Sequence, residues 1–262
     1  MAEQQQDKKL YIVLISIHGL IRSQNLELGR DADTGGQTLY VVELAKALAE
    51  HPDVERVDLL TRQVIDPKVS DDYAVRVEEI IPGANIIRLA CGPKRYLRKE
   101  VLWPHLQGFI DSALHHVRNV GRVPDIVHSH YADAGLAGAR IAGLLGVPLI
   151  HTGHSLGKEK QARLLAKGIK GSSIEKQYNM SMRIEAEEIV LGTAARVIAS
   201  TRQEIDEQYA SYDNYQPSRL MVIPPGVDLS RFYRPDNSEP NADIAKQLER
   251  FLTEPGKPMI LA

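Results

Sequence analysis

One cysteine, one tryptophan and three phenylalanines are all that 262 residues contain, and no apolar run approaches the length needed to span a membrane. The lone thiol, Cys91, cannot close an intrachain disulfide. Set between apolar residues and a Gly-Pro turn, it reads as an inert core or strand-end cysteine in a reducing compartment. An excess of one charge is missing too. With 32 basic against 34 acidic residues, a formal −2, no global basic surface advertises nucleic acid or an anionic membrane, so any anion site must be local. Met1 to Lys9 is polar, without the apolar centre of a leader peptide, and is expected to be a flexible start to a soluble, cytoplasmic, untargeted chain.

What is present is a rhythm of strands and helices. Strand-like runs at Leu10 to Ile17, Val57 to Leu60, Ile86 to Leu89, Asp125 to His128, Pro148 to His151, Arg196 to Ala199 and Leu220 to Ile223 alternate with helical patterns. Helices are expected after Gly36, over Leu97 to Val117, over Asp133 to Leu145, near Gln161 and over Ser173 to Leu191. Short, wholly apolar strands such as Val147 to Ile150 suit a sheet covered on both faces. The expected fold class is therefore α/β, a doubly wound Rossmann-like parallel sheet over residues 10–233. Residues 234–262 read as a linker rich in Pro, Asp, Asn and Ser, then a helix, then a strand from Met259. That strand is either the first of a truncated second Rossmann-like domain or a natural edge strand.

In such sheets ligands lie beyond the carboxyl ends of the strands, and the polar punctuation falls there: His18-Gly19, His128-Ser129-His130 and His151-Thr152-Gly153-His154. The first strand is followed by a connection ending Asp31-Ala32-Asp33-Thr34-Gly35-Gly36-Gln37, longer than βα loops usually are, which suggests that it covers the pocket. It is neither a dinucleotide fingerprint nor a Walker loop. Gly35 and Gly36 allow close backbone approach to a ligand, and the helix behind them offers free N–H groups, so the junction is either a phosphate cradle or a plain turn before a helix. Within the loop, Arg22, Arg30, Asp31 and Asp33 could bind substrate or pair with one another. The aspartates suit loop structuring or hydroxyl binding better than calcium, because the downstream Glu of a calcium loop is absent.

Three further segments carry candidate chemistry. In His151 to Lys158, His154 could orient a sugar hydroxyl or steady charge and Lys158 could meet a phosphate, against the plainer readings of a capping Ser155 and a solvated Lys158. His128 and His130 share a strand face at a spacing that could suit a metal, but without a third ligand nearby hydrogen bonding fits better, and no metal is expected. The run Lys94-Arg95-Tyr96-Leu97-Arg98-Lys99 is either a solvated surface or a phosphate contact.

Taken in order, Asp33-Thr34-Gly35-Gly36-Gln37, His154-Ser155-Leu156-Gly157-Lys158, Arg183-Ile184-Glu185-Ala186-Glu187-Glu188, Ser200-Thr201-Arg202-Gln203-Glu204 and Ile223-Pro224-Pro225-Gly226-Val227-Asp228 closely resemble the sucrose-phosphate synthase family from about Lys9 to Ala262. The resemblance implies a retaining glycosyltransferase of GT-B architecture, with two Rossmann-like domains, of which this chain looks like the first, the acceptor-binding half. It implies UDP-glucose as donor, fructose 6-phosphate as acceptor and no dedicated cofactor. Carried over, Gly35 and Gly36 would approach the donor phosphates, Gln37 would contact the acceptor and His154 would position the transferred glucosyl unit. Lys94 or Arg95, Lys158 and Arg183 would hold the acceptor phosphate, and Tyr131 and Ser155 would line its pocket. Met182 stands where relatives carry the first residue of a basic pair. The second domain, which in that family supplies the nucleotide contacts, is expected to be missing, leaving little transfer by this chain alone. A sucrose synthase half-domain and a non-catalytic sugar-phosphate-binding module are the alternatives.

Overall fold

The computed structural model describes residues 8–229. Contacts divide the chain between Pro224 and Pro225, and the sheet with all its helices belongs to the first unit; the expected linker, helix and strand of residues 234–262 lie outside the described residues.

At the centre of the sheet is β1 (Leu10–Ile15), buried from Tyr11 onward. Its side chains alternate between two cores: Tyr11, Val13 and Ile15 enter one, Ile12 and Leu14 the other, as the twofold period of a strand covered on both faces requires. Strand β2 (Val54–Arg62) pairs parallel on one side of β1 and β5 (Ile126–His130) parallel on the other. The remaining strands, β3 (Val77–Ile81), β4 (Ala84–Leu89), β6 (Leu149–Thr152), β7 (Arg196–Ala199) and β8 (Leu220–Val222), complete the order β3-β4-β2-β1-β5-β6-β7-β8. The order turns back between β1 and β5, which puts the ligand crevice of a doubly wound sheet at their carboxyl ends.

Helix α1 (Gly36–Ala49) packs Val41, Val42 and Ala45 into the core that holds Leu14. On the opposite face lie α2 (Leu106–Val120), α3 (Ala132–Leu145) and part of α6 (Met180–Thr193). Gly138 of α3 lets that helix sit directly on the sheet, since a Cβ there would lie 3.0 Å from the Ser129 side chain.

Four expectations need correction. The sheet is not wholly parallel: β3, unforeseen, runs antiparallel to β4 through a Pro82-Gly83 turn with Gly83 at φ +90°. Its Val77 is solvent-exposed, so the segment lacks the apolar alternation that marks a half-buried strand. The helix expected from Leu97 begins only at Leu106, because Pro104 confines the preceding residues to short 3-10 turns at Lys99–Val101 and Trp103–His105. The segment Ser173 to Leu191 is two helices, α5 (Gly171–Tyr178) and α6, separated by Asn179 in a left-handed conformation. Near Gln161 the helix is α4 (Gly157–Ala166), whose cap position is Leu156 rather than Ser155.

Candidate functional site: a cationic pocket beside a histidine cluster

The long loop after β1 is tied down by its aspartates. Asp31 Oδ1 accepts from the backbone N–H of Asp33 (2.8 Å) and Thr34 (2.9 Å) and from the Tyr96 hydroxyl (3.1 Å). Asp33 accepts from the backbone N–H of Lys99 (2.8 Å) and is ion-paired with its ammonium. Burial opposes ionisation of Asp33, but the bonds and charge of Lys99 prevail and hold its carboxyl below the usual range. Arg22 and Arg30 pair locally, with Asp72 at 3.0 Å and Glu27 at 3.0 Å. These residues structure the loop and deliver the double glycine to the crevice.

Gly35 precedes α1 with no side-chain cap, and a Cβ on either Gly35 or Gly36 would meet nothing within 4 Å. Neither glycine has a positive φ. Neither backbone strain nor packing demands glycine here, so the pair leaves unfilled space at a helix N-terminus. Next to it, Gln37 donates to Ser16 Oγ (3.1 Å) and to the His130 carbonyl (3.4 Å), turning its amide toward the ends of β1 and β5.

Imidazoles gather at those strand ends. His130 Nδ1 lies 3.0 Å from His154 Nε2, His128 Nε2 lies 2.9 Å from Thr152 Oγ1, and His151 Nδ1 lies 2.9 Å from Ser129 Oγ. His128 and His130 stack at 4.2 Å, and Tyr40 meets His154 edge-on at 5.0 Å. Burial drives them all toward the neutral form: His128 and His151 to about 3, His154 to about 4, and His130 well below its ordinary value. His154, at φ +58°, is therefore an uncharged hydrogen-bonding group at physiological pH, suited to a sugar hydroxyl. Among the described residues no group of three or more His, Cys, Asp or Glu could hold a metal.

Beyond the cluster the chain builds a small pocket. Tyr131, at φ +77° just after β5, presents its ring to His18 (4.6 Å, edge-on) and to the Arg183 guanidinium (4.6 Å). Arg183 is fixed from behind by Glu187 (3.0 Å) and by the Ser155 carbonyl (2.6 Å) and hydroxyl (3.2 Å). Glu187 also accepts the Gly157 N–H (2.9 Å) and the Tyr212 hydroxyl. Lys99, Glu100, Trp103, Lys160 and Tyr178 complete the wall. Lys160 lies 3.8 Å over the Tyr178 ring, and burial together with the charges of Arg183 and Lys99 lowers the pKa of its ammonium. Three cations thus share one small space.

The structure brings Gly35, Gly36, Gln37, Tyr131, His154, Ser155 and Arg183 to this end of the sheet. Lys158, Lys94 and Arg95 go elsewhere. The Lys158 ammonium bonds Glu188 (2.8 Å) and the Ser211 carbonyl (2.9 Å) and stacks on Tyr212, while Lys160, two residues on and about 200° round the helix, enters the pocket. Lys94 and Arg95 are exposed, their segment held through its carbonyls by Ile65 and the buried Arg62. Lys99, last of the same basic run, takes the inner place. Lys99, Lys160, Glu100, Trp103 and Tyr178 were thus missed. The clue to Lys160 is Gly157, which seats α4 against Glu187 and so decides which lysine faces in. The Ser200 to Glu204 motif is a cap: Glu204 accepts from Ser200 N–H (2.7 Å) and Thr201 Oγ1 from Glu204 N–H (3.1 Å), placing Tyr209 so that its hydroxyl holds the Gly153 N–H.

This arrangement has relatives. Residues 34–231, the double glycine at their start, match the model of Glycosyltransferase Family 4. The chain belongs to that family. It is 42% identical over its whole length to a protein of Oryza sativa subsp. indica named "Probable sucrose-phosphate synthase 1", and spans 30% of that relative. Among solved structures it resembles the sucrose-phosphate synthase of Thermosynechococcus elongatus, with TM-score 0.70 and 29% identity over 92% of this chain and 53% of that one. A protein of Anabaena solved in complex with UDP-glucose shares the fold at TM-score 0.53 and 12% identity, over 92% of this chain and 50% of that one. The mostly parallel α/β sheet is thus that of a GT-B glycosyltransferase lobe.

Proposed function

We propose that this family 4 member is the acceptor-binding half of a retaining hexosyltransferase that passes glucose from UDP-glucose to fructose 6-phosphate, giving sucrose 6-phosphate and UDP. The observation that carries the reading is the convergence of Lys99, Lys160 and Arg183 on one pocket at the sheet's carboxyl end, in a chain whose total charge is nearly balanced. A phosphate dianion relieves the repulsion among these cations and gains charge-assisted hydrogen bonds. Sucrose-phosphate synthase relatives accord with it. Unphosphorylated fructose would make no use of these cations, which weighs against a sucrose synthase half-domain.

In this reading the acceptor phosphate lies against Lys160 and Arg183, and the sugar extends toward Gln37 and Ser155. His154, neutral, hydrogen-bonds the transferred glucosyl unit. The donor diphosphate approaches Gly35 and Gly36, where backbone N–H groups stabilise the negative charge that grows as the nucleotide departs. The nucleotide contacts belong to a second domain, and without it transfer is slow or absent. Calorimetric titration with fructose 6-phosphate, fructose and UDP-glucose tests this. Binding of fructose 6-phosphate but not fructose is expected; equal affinity for the two sugars would refute the phosphate assignment.

A further inference from the structure

Six side chains among the described residues bury a polar atom that has no hydrogen-bond partner, and two of them share the wall of the cationic pocket: Glu100 through Oε2 and Trp103 through Nε1. Glu100 is only 8% exposed. The Arg98 guanidinium stands 3.3 Å from Oε2 without a hydrogen bond and is itself largely in solvent. Lys99 lies 4.0 Å from Oε1 and is engaged by Asp33. The backbone that carries these groups is fixed, because the Glu100 carbonyl accepts from Asn179 Nδ2 at 2.5 Å.

A buried carboxylate works against a phosphate by simple repulsion, and a buried indole N–H with no acceptor is costly. Both make sense if the ligand supplies their partners. A donor beside an acceptor is the complement of a hydroxyl, which gives its proton to the carboxylate and receives the N–H on its lone pairs.

We propose that Glu100 and Trp103 form the polyol-reading edge of the pocket, with Glu100 Oε2 accepting from, and Trp103 Nε1 donating to, hydroxyl groups of the sugar whose phosphate lies against Lys160 and Arg183. This rests on the acceptor reading above and adds to it the basis of discrimination. The carboxylate repels a second phosphate at the sugar end, and a ligand lacking the hydroxyl leaves two buried atoms without a hydrogen bond and is rejected.

The test compares fructose 6-phosphate, titrated calorimetrically into the full chain, with inorganic phosphate, measured by displacement of the sugar phosphate. In Glu100→Gln, affinity for fructose 6-phosphate should fall roughly tenfold or more, while inorganic phosphate binds as well or better because a nearby negative charge is gone. Trp103→Phe removes the N–H together with the five-membered ring that carries it and should weaken the sugar phosphate several-fold, leaving inorganic phosphate unchanged; it decides the matter alone if Glu100→Gln does not fold. Both ligands weakening together in Trp103→Phe, or both tightening in Glu100→Gln, would overturn the proposal and leave the acceptor reading standing. A wild-type chain that binds neither ligand would overturn both.

Discussion

Acidification from about pH 7.5 to 5.5 should remove several kcal/mol of stability through four imidazoles alone. His128, His130, His151 and His154 are held neutral by burial, with pKa values of about 3 for His128 and His151, about 4 for His154 and well below the ordinary value for His130. In the unfolded chain each would titrate near 6.5. The folded values are depressed, so the unfolded state binds more protons and stability falls as pH drops below about 6.5. At pH 5.5 an unfolded imidazole is roughly nine-tenths protonated while the folded one is not, which costs each site somewhat over 1 kcal/mol and the four together roughly 5 kcal/mol. That figure does not depend on how far below 5.5 the folded values lie, only on their lying there. Glu187, whose carboxyl burial pushes up, acts in the opposite sense, gaining stability as pH falls. Asp33 and Asp58, whose carboxyls are held down, lose stability only nearer pH 4. Denaturant unfolding followed by fluorescence of the single tryptophan, Trp103, measures the effect. Unfolding free energies that agree to within about 1 kcal/mol between the two pH values would refute it, since 1.4 kcal/mol corresponds to one imidazole protonated a full unit below its unfolded pKa.

Three further outcomes rest on named contacts. Lys160→Ala should weaken fructose 6-phosphate binding roughly ten- to a hundredfold, whereas Lys158→Ala should leave it within about threefold and instead lower stability by roughly 1 kcal/mol, because that ammonium bonds Glu188 and the Ser211 carbonyl; calorimetry and denaturation separate the two. Gly35→Ala should leave unfolding within about 0.5 kcal/mol of wild type, while Gly19→Ala, at φ +81° with its Cβ 2.5 Å from the Asp33 carbonyl oxygen, should destabilise by roughly 2 kcal/mol or more in the same denaturation experiment. Glu187→Ala strands the buried Arg183 and should cost about 3–5 kcal/mol of stability, together with phosphate affinity, both of which would be unchanged if the pair were dispensable.

The doubly wound class and the location of the crevice were legible because β1, β5 and β6 are short strand-like runs whose polar punctuation marks their ends. What escaped was decided by tertiary context. Val77–Ile81 joins the sheet as an edge strand with an exposed valine, so no apolar alternation announces it. Asn179 breaks a helix in which every other local signal is helical. Of the basic residues at the site, Lys99 lay inside a run that was read through Lys94 and Arg95, and Lys160 lay two residues beyond Lys158; each stretch contains one inward cation. Which one turns in depends on anchors far off in sequence, Asp33 for Lys99 and Glu187, through Gly157, for the face of α4. Glu100 and Trp103 carry no pattern at all, since their significance lies in partners they lack.

The electrostatics of the pocket explain why anion affinity can reside in so small a cluster. Lys99 is balanced by Asp33 and Arg183 by Glu187, so each guarantees position more than charge. Lys160 has an aromatic ring beneath it and stands among the other two cations, with the Glu100 carboxylate on the same wall. Its pKa is lowered first by burial and then by the charges of Arg183 and Lys99, a cost that an arriving dianion relieves. In the proposed reading the phosphate is drawn to Lys160 and Arg183, and the Glu100 carboxylate on the same wall, 4.0 Å from the Lys99 ammonium, is left to the sugar hydroxyls. Neutralising Lys160→Gln should do more than weaken phosphate binding: by removing a part-buried charge that Arg183 and Lys99 repel, it should raise stability at low salt, an outcome that denaturation at two ionic strengths would expose or refute.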